Sequence, residues 1–131
     1  AHGRQMDRAC LRVSAPIHVA PSRDQAIAEV EAGFEAWREF IERTWPNGAA
    51  TIGMGSVEAI IENGVGVIGT ADDALAFTER LWKKTGGFGC LLTQITNWSD
   101  YEATKRSLRI LSDRVMPEFA GRNRRRVAAT H

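Results

Sequence analysis

A chain of 131 residues, 44% apolar and 25% charged, carries enough apolar side chain for one domain with a modest core. Its formal charge of +1 creates no one-signed field that would argue for nucleic acid or an acidic partner. No apolar run approaches the ~18–20 residues that cross a bilayer, and the opening AHGRQMDRAC has no apolar signal segment. Cys10 and Cys90 are isolated thiols, which suits a reducing cytoplasmic setting better than a disulfide framework. The start at Ala-His-Gly-Arg, without an initiator Met, is compatible with a tag, with maturation or with a piece of a longer polypeptide.

Leu11–Ala20 is apolar and β-branched and reads as a strand; its Pro16 marks an irregularity or a point where no ladder donor is needed. Ser22 and Gln25 then form an S-x-x-Q capping box, which opens a helix of about five turns. Ile27, Val30, Phe34, Trp37 and Ile41 recur at steps of three and four and define its apolar stripe, with Trp37 as core. Glu29, Glu31, Glu35 and Glu39 fall to its solvated face, and Pro46-Asn47-Gly48 ends it. AATIGMG reads as loop, and SVEAIIEN as two helical turns stopped by Gly64.

Gly64, Gly66 and Gly69 have the G-x-G-x-x-G spacing of a dinucleotide loop. That loop needs a strand before its first glycine and an acid about 20 residues on, at the end of the next strand. Here the preceding segment is helical, the acid Asp100 comes too late, and Asp72 and Asp73 would repel a pyrophosphate. The stretch 64–69 is therefore read as a buried strand whose glycines admit a neighbouring backbone.

A second box, Thr70 with Asp73, opens another helix, with acids at its start, Lys83 and Lys84 at its end and Gly86-Gly87 as the stop. Its inward stripe is Leu75, Thr78 and Trp82. Phe88–Thr96 is the clearest strand, near-continuously apolar and so expected to be buried on both faces, as in a parallel sheet. Ser99 and Glu102 form a third box before a helix whose stripe is Thr104, Leu108, Leu111 and Val115, with Pro117 disturbing its end. Residues 1–120 thus form one segment, and 121–131 a basic, frayed tail. Three β-then-α units in succession give an α/β protein with parallel strands.

Chemistry is sparse. His2, His18 and His131 are scattered, no His or Cys pair has metal-ligand spacing, and no nucleophile elbow, P-loop or Cys/His pair occurs. Metal ligands are not expected, and catalytic residues stay unassigned. The carboxyl ends of parallel strands are where α/β proteins bind ligands. His18 lies at one such end, and Thr93, Gln94, Thr96, Asn97 and Trp98 at another. Polar groups at the mouth of an apolar strand, followed by an aromatic, suit a planar ligand. The bland alternatives are a hydrogen-bonded structural His18, and strand-end solvation with Trp98 packed as a staple against the final helix.

SAPIHVAPSRDQA, VIGTADDALAFTERLWKKTGGFGCLLTQITNW and YEATKRSLRILSDRVMPEF resemble the C-terminal third of luciferase-like flavin-dependent monooxygenases, in the branch that includes limonene-type monooxygenases. The likeness covers most of residues 11–120 and is weakest in TWPNGAATIGMGS. The resemblance implies the C-terminal portion of a TIM-like (β/α)8 barrel, with about three β-α units and Phe88–Thr96 as the eighth strand. It also implies reduced FMN, often delivered by a separate flavin reductase, and O2 used to oxidise a small organic substrate; the deazaflavin F420 is the alternative cofactor. The family's flavin phosphate site lies largely upstream of the matched region. By position, His18, Thr93, Gln94, Asn97 and Trp98 would line the cofactor or substrate mouth. The implied partners are the N-terminal part of the same enzyme or another copy of the chain. A non-enzymatic α/β module or assembly subunit is the rival reading.

Overall fold

The computed structural model describes residues 7–45, 48, 52–95 and 97–121. His2, His131, the Pro46-Asn47 stop, Thr96 and the basic run from Arg122 to Arg126 lie outside the described residues. After a 3-10 turn at Arg8–Cys10 come strand β1 (Arg12–Val19), helix α1 (Arg23–Thr44), helix α2 (Val57–Asn63) and strand β2 (Val67–Gly69). Helix α3 (Ala71–Thr85), strand β3 (Cys90–Gln94) and helix α4 (Tyr101–Ile110) follow. The last helix continues through a π-helical turn at Leu111–Val115 and on to Gly121. Both strand pairings are parallel, as expected, but the order is β2-β1-β3. Consecutive staves of a barrel would instead place β2 in the middle.

β1 is central because it serves two partners with different halves. Arg12–Pro16 pairs with Cys90–Gln94, and Ile17–Val19 with Val67–Gly69. Leu11 accepts from the Cys90 amide at 3.3 Å, while Ala20 donates to the Gly69 carbonyl at 2.9 Å. Backbone groups alternate sides along a strand, so the even-numbered residues of β1 turn their amides toward β2. Pro16 is the last even position before that pairing begins, and its missing N–H costs no ladder bond. β2 is shorter than the expected strand at 64–69 because Gly64 instead caps α2 in the left-handed conformation, at φ 60°. Gly66 comes so close to β1 that a Cβ there would lie 2.5 Å from the Pro16 carbonyl oxygen.

The two faces of the sheet carry two cores. Ala15, Ile17, Val19 and Val67 pack against Ala71, Ala74 and Phe77 of α3 and against Leu111 and Val115. Ala20 and Ile68 pack with Val30, Phe34 and Trp37 of α1, Val57 and Ile60 of α2, and Trp98. Helices therefore cover the sheet on both sides.

Several local expectations shift. Ser22 caps α1 as read, its hydroxyl accepting from the Gln25 amide at 3.2 Å, but the Gln25 side chain reaches forward to Glu29 instead of back. The Thr70–Asp73 box is complete in both directions. The buried stripe of α3 is Ala71, Ala74, Phe77 and Thr78, so Phe77 replaces Trp82 as its large anchor; Trp82 packs instead on Phe88 and Phe119. Asp100, not Ser99, caps α4, accepting from the Ala103 amide at 2.8 Å. The buried row of that helix is Ala103, Ser107, Leu111 and Val115, while Leu108 is exposed. Steps of four overrun an ideal α-helix by about 40° each, and the wider π turn holds Val115 on the sheet face just ahead of Pro117, which lacks an N–H to donate. β3 is not buried on both faces: as an edge strand it leaves Leu92 and the following Ile95 exposed.

Candidate functional site at the carboxyl ends of the strands

His18 sits at the next-to-last position of β1 and is 2% exposed. The even face of β1 turns toward α1, and Glu29, one turn beyond Gln25, meets the imidazole there. His18 Nε2 lies 2.8 Å from Glu29 Oε2. Gln25 Nε2 donates to Glu29 Oε1 at 2.7 Å, and Arg106 Nη2, arriving from α4, donates to the same oxygen. One residue on, the Val19 amide donates to the Ser107 hydroxyl at 2.9 Å. The end of β1 is thereby tied to both α1 and α4 by polar contacts in a poorly hydrated place, where each bond is strong and each omission is costly. One omission stands out among the described residues: Arg106 Nε is buried without an acceptor.

Burial pushes the Glu29 carboxyl up, but the hydrogen bonds from His18 and Gln25 and the charge of Arg106 outweigh it and hold the group below its ordinary range. Glu29 is thus an ionised, acceptor-only group. It does not belong to the solvated face assigned from sequence. The signal was its place in the stripe: Glu29 follows the buried Ala26 by three and immediately precedes the buried Val30. Arg106 gave no such signal, because its partner is 77 residues away.

A second ion pair lies at the end of β2. Arg23 Nη2 is 2.5 Å from Asp73 Oδ1, while Asp73 Oδ2 accepts from the Thr70 amide at 2.9 Å. Burial raises the Asp73 carboxyl; the Arg23 and Thr70 hydrogen bonds overcome this and lower it.

At the end of β3, Thr93 is half-buried, and Gln94 and Asn97 are exposed. Trp98 is 2% exposed. It packs on α1, with ring centroids 5.2 Å from Trp37 and 6.5 Å from Phe34, and its carbonyl accepts from the Gly33 amide at 3.1 Å. The fold brings His18 and Trp98 to one crevice, shared with Ile17, Ile95, Thr104, Ser107 and Leu108, whose volume is about 10 Å³. That is space for a single water. Asn97 faces a separate groove with Ala36, Trp37, Phe40 and Ile95. Thr93 and Gln94 line neither. Among the described residues no group of His, Cys, Asp and Glu is placed to hold a metal, and no helix is long and apolar enough to cross a membrane.

No protein-family model matches the chain. It is 32% identical over 126 residues to 4-hydroxyprotoasukamycin monooxygenase of Streptomyces nodosus subsp. asukaensis, which covers 92% of this chain and 33% of that protein. It is 33% identical over 121 residues to limonene 1,2-monooxygenase of Rhodococcus erythropolis, covering 92% and 31%. Among solved structures it is similar to the oxygenating constituent of 3,6-diketocamphane monooxygenase from the CAM plasmid of Pseudomonas putida, a type II Baeyer-Villiger monooxygenase in complex with FMN. That match has a TM-score of 0.61 and 25% identity, and covers 88% of this chain and 35% of the other. The chain spans about a third of the length of the curated relatives it matches. Over that third it is homologous to the luciferase-like monooxygenases.

Proposed function

We propose that the chain is the C-terminal part of a luciferase-like, FMN-dependent monooxygenase that uses reduced FMN and O2 to oxidise a small organic substrate. The observation that carries this reading is the likeness, in sequence and fold together, to oxygenases about two and a half to three times as long. On this reading β1 and β3, paired side by side, are neighbouring staves of a TIM-like barrel, and the short β2, on the other side of β1, is not a stave between them. The carboxyl ends of those strands, with His18, Thr93, Gln94, Asn97 and Trp98, contribute to the cofactor or substrate mouth. The remainder of the enzyme, or another copy of the chain, is the partner, and a reductase supplies the reduced flavin.

A flavin ring does not fit the crevice beside His18, which has room for one water. Of the arginines at this end, Arg23 is engaged by Asp73 and Arg106 by Glu29. Among the described residues, this end offers one wall of a site and no phosphate cradle. Bound flavin would supply the oxygen chemistry; these residues would orient ligands and exclude water.

The intact mass and flavin content of the source protein test the reading. The expected result is a polypeptide roughly three times the length of this chain that takes up FMN and consumes O2 when the flavin is reduced. The isolated 131-residue chain should not quench flavin fluorescence stoichiometrically; tight binding by the chain alone would show that it holds the whole site. One observation favours the second reading, a stand-alone α/β module: the sheet is already covered on both faces within the chain. A source protein of this chain's own length, without flavin, would put that module first.

A further inference from the structure

We propose that Glu29 is the positioning residue of His18: held by Arg106 and Gln25, it fixes the imidazole as the Nε2–H tautomer and leaves Nδ1 as a hydrogen-bond acceptor at the carboxyl end of β1. The inference rests on the reading of this end as the ligand mouth, although the tautomer itself is a property of the chain alone.

An ionised carboxylate only accepts hydrogen bonds. With Oε2 at 2.8 Å, the proton between the two residues belongs to His18 Nε2. A neutral imidazole protonated there presents a lone pair at Nδ1, on the ring edge directed away from Glu29. The lone pair is then available to an N–H or O–H donor, and His18 borders the crevice with Ile95, Trp98 and Ser107 that has room for one water. The unpaired Arg106 Nε shows which contact governs the carboxylate. Arg and Glu frequently close a fork of two parallel N–H···O bonds. Here Arg106 Nη2 takes Oε1, the second oxygen is turned to His18, and Nε has no acceptor. Gln25, on the same oxygen as Arg106, locks the rotation.

Nitrogen-15 NMR of the folded chain at pH 8, where a histidine is ordinarily neutral, reads the two ring nitrogens separately. His18 should be a single Nε2–H tautomer, with Nδ1 at the shift of an unprotonated acceptor. Glu29→Ala should convert it to an exchanging mixture. Glu29→Gln keeps the shape but has one acceptor oxygen for three donors, and should likewise lose the single tautomer while the backbone spectrum stays folded. A wild-type ring protonated at Nδ1 would overturn the proposal, as would retention of the single Nε2–H form in Glu29→Gln. Should Glu29→Ala not fold, the wild-type and Glu29→Gln spectra decide. Because no flavin is present, a failure here is separable from a failure of the oxygenase reading, which flavin content tests.

Discussion

Glu29 is the residue on which the end of β1 depends, and its titration gives a signed expectation. Its carboxyl is held below the ordinary value of 4.5, so its contribution to stability is fully present above that value. The contribution is lost as pH falls through the lowered, folded-state value. Asp73 acts in the same direction below 3.8. Urea midpoints measured from pH 6 downward should therefore hold level and then drop below about 4.5, and Glu29→Gln should flatten part of that drop. A variant whose acid limb matches the wild type in steepness would mean that Glu29 is not ionised and paired in the folded chain.

At the scale of elements, the loop after β3 is pressed onto α1 at Gly33. A Cβ at Gly33 would lie 2.6 Å from the Asn97 carbonyl oxygen and 2.7 Å from the Trp98 backbone, neither of which is a flexible side-chain end. In an exposed helix interior, replacing Gly with Ala stabilises by about 1 kcal/mol. Here the sign should reverse: Gly33→Ala is expected to destabilise by roughly 1–3 kcal/mol, as overpacking does. It should also disturb the Trp98 ring between Phe34 and Trp37, read as a change in tryptophan fluorescence or near-ultraviolet circular dichroism. An unchanged or raised melting temperature would show that the loop carrying Asn97 and Trp98 is free to move off the helix.

At the scale of the whole molecule, the flank beyond β3 is open among the described residues. The helices bury their main stripes within the chain, but β3 has no strand on its outer side among the described residues. Leu92 and Ile95 are 51% and 57% exposed there, and Phe40 of α1, beside Ile95 in the groove with Asn97, is 60% exposed. An unpaired edge rimmed by apolar side chains favours association. Light scattering on the isolated chain should find it self-associated, and a charge placed on the edge, Leu92→Lys, should shift it toward monomer. A cooperative melt from a stable monomer at tens of micromolar would instead favour the stand-alone module.

Strand and helix identity, the parallel pairing and the Thr70–Asp73 cap were legible in the sequence because they depend on neighbours within a few residues: alternation, three-and-four spacing and capping chemistry. The place of His18 at a strand end followed from the same local reading. What needed the tertiary structure were pairings between distant segments. β1 took the centre of the sheet because its first half, through Pro16, meets β3 and its second half meets β2, a division that shows only once β2 and β3 are on opposite edges. The rotation of the α3 stripe to Phe77 and the shift of the α4 row to Ala103 and Ser107 were set by the surface each helix met. Glu29 looked solvated because a helical period places it beside the apolar stripe without showing what lies opposite. His18, 11 residues before it, and Arg106, 77 residues after it, make it a buried, ionised hub, and only folding brings those donors to one carboxylate.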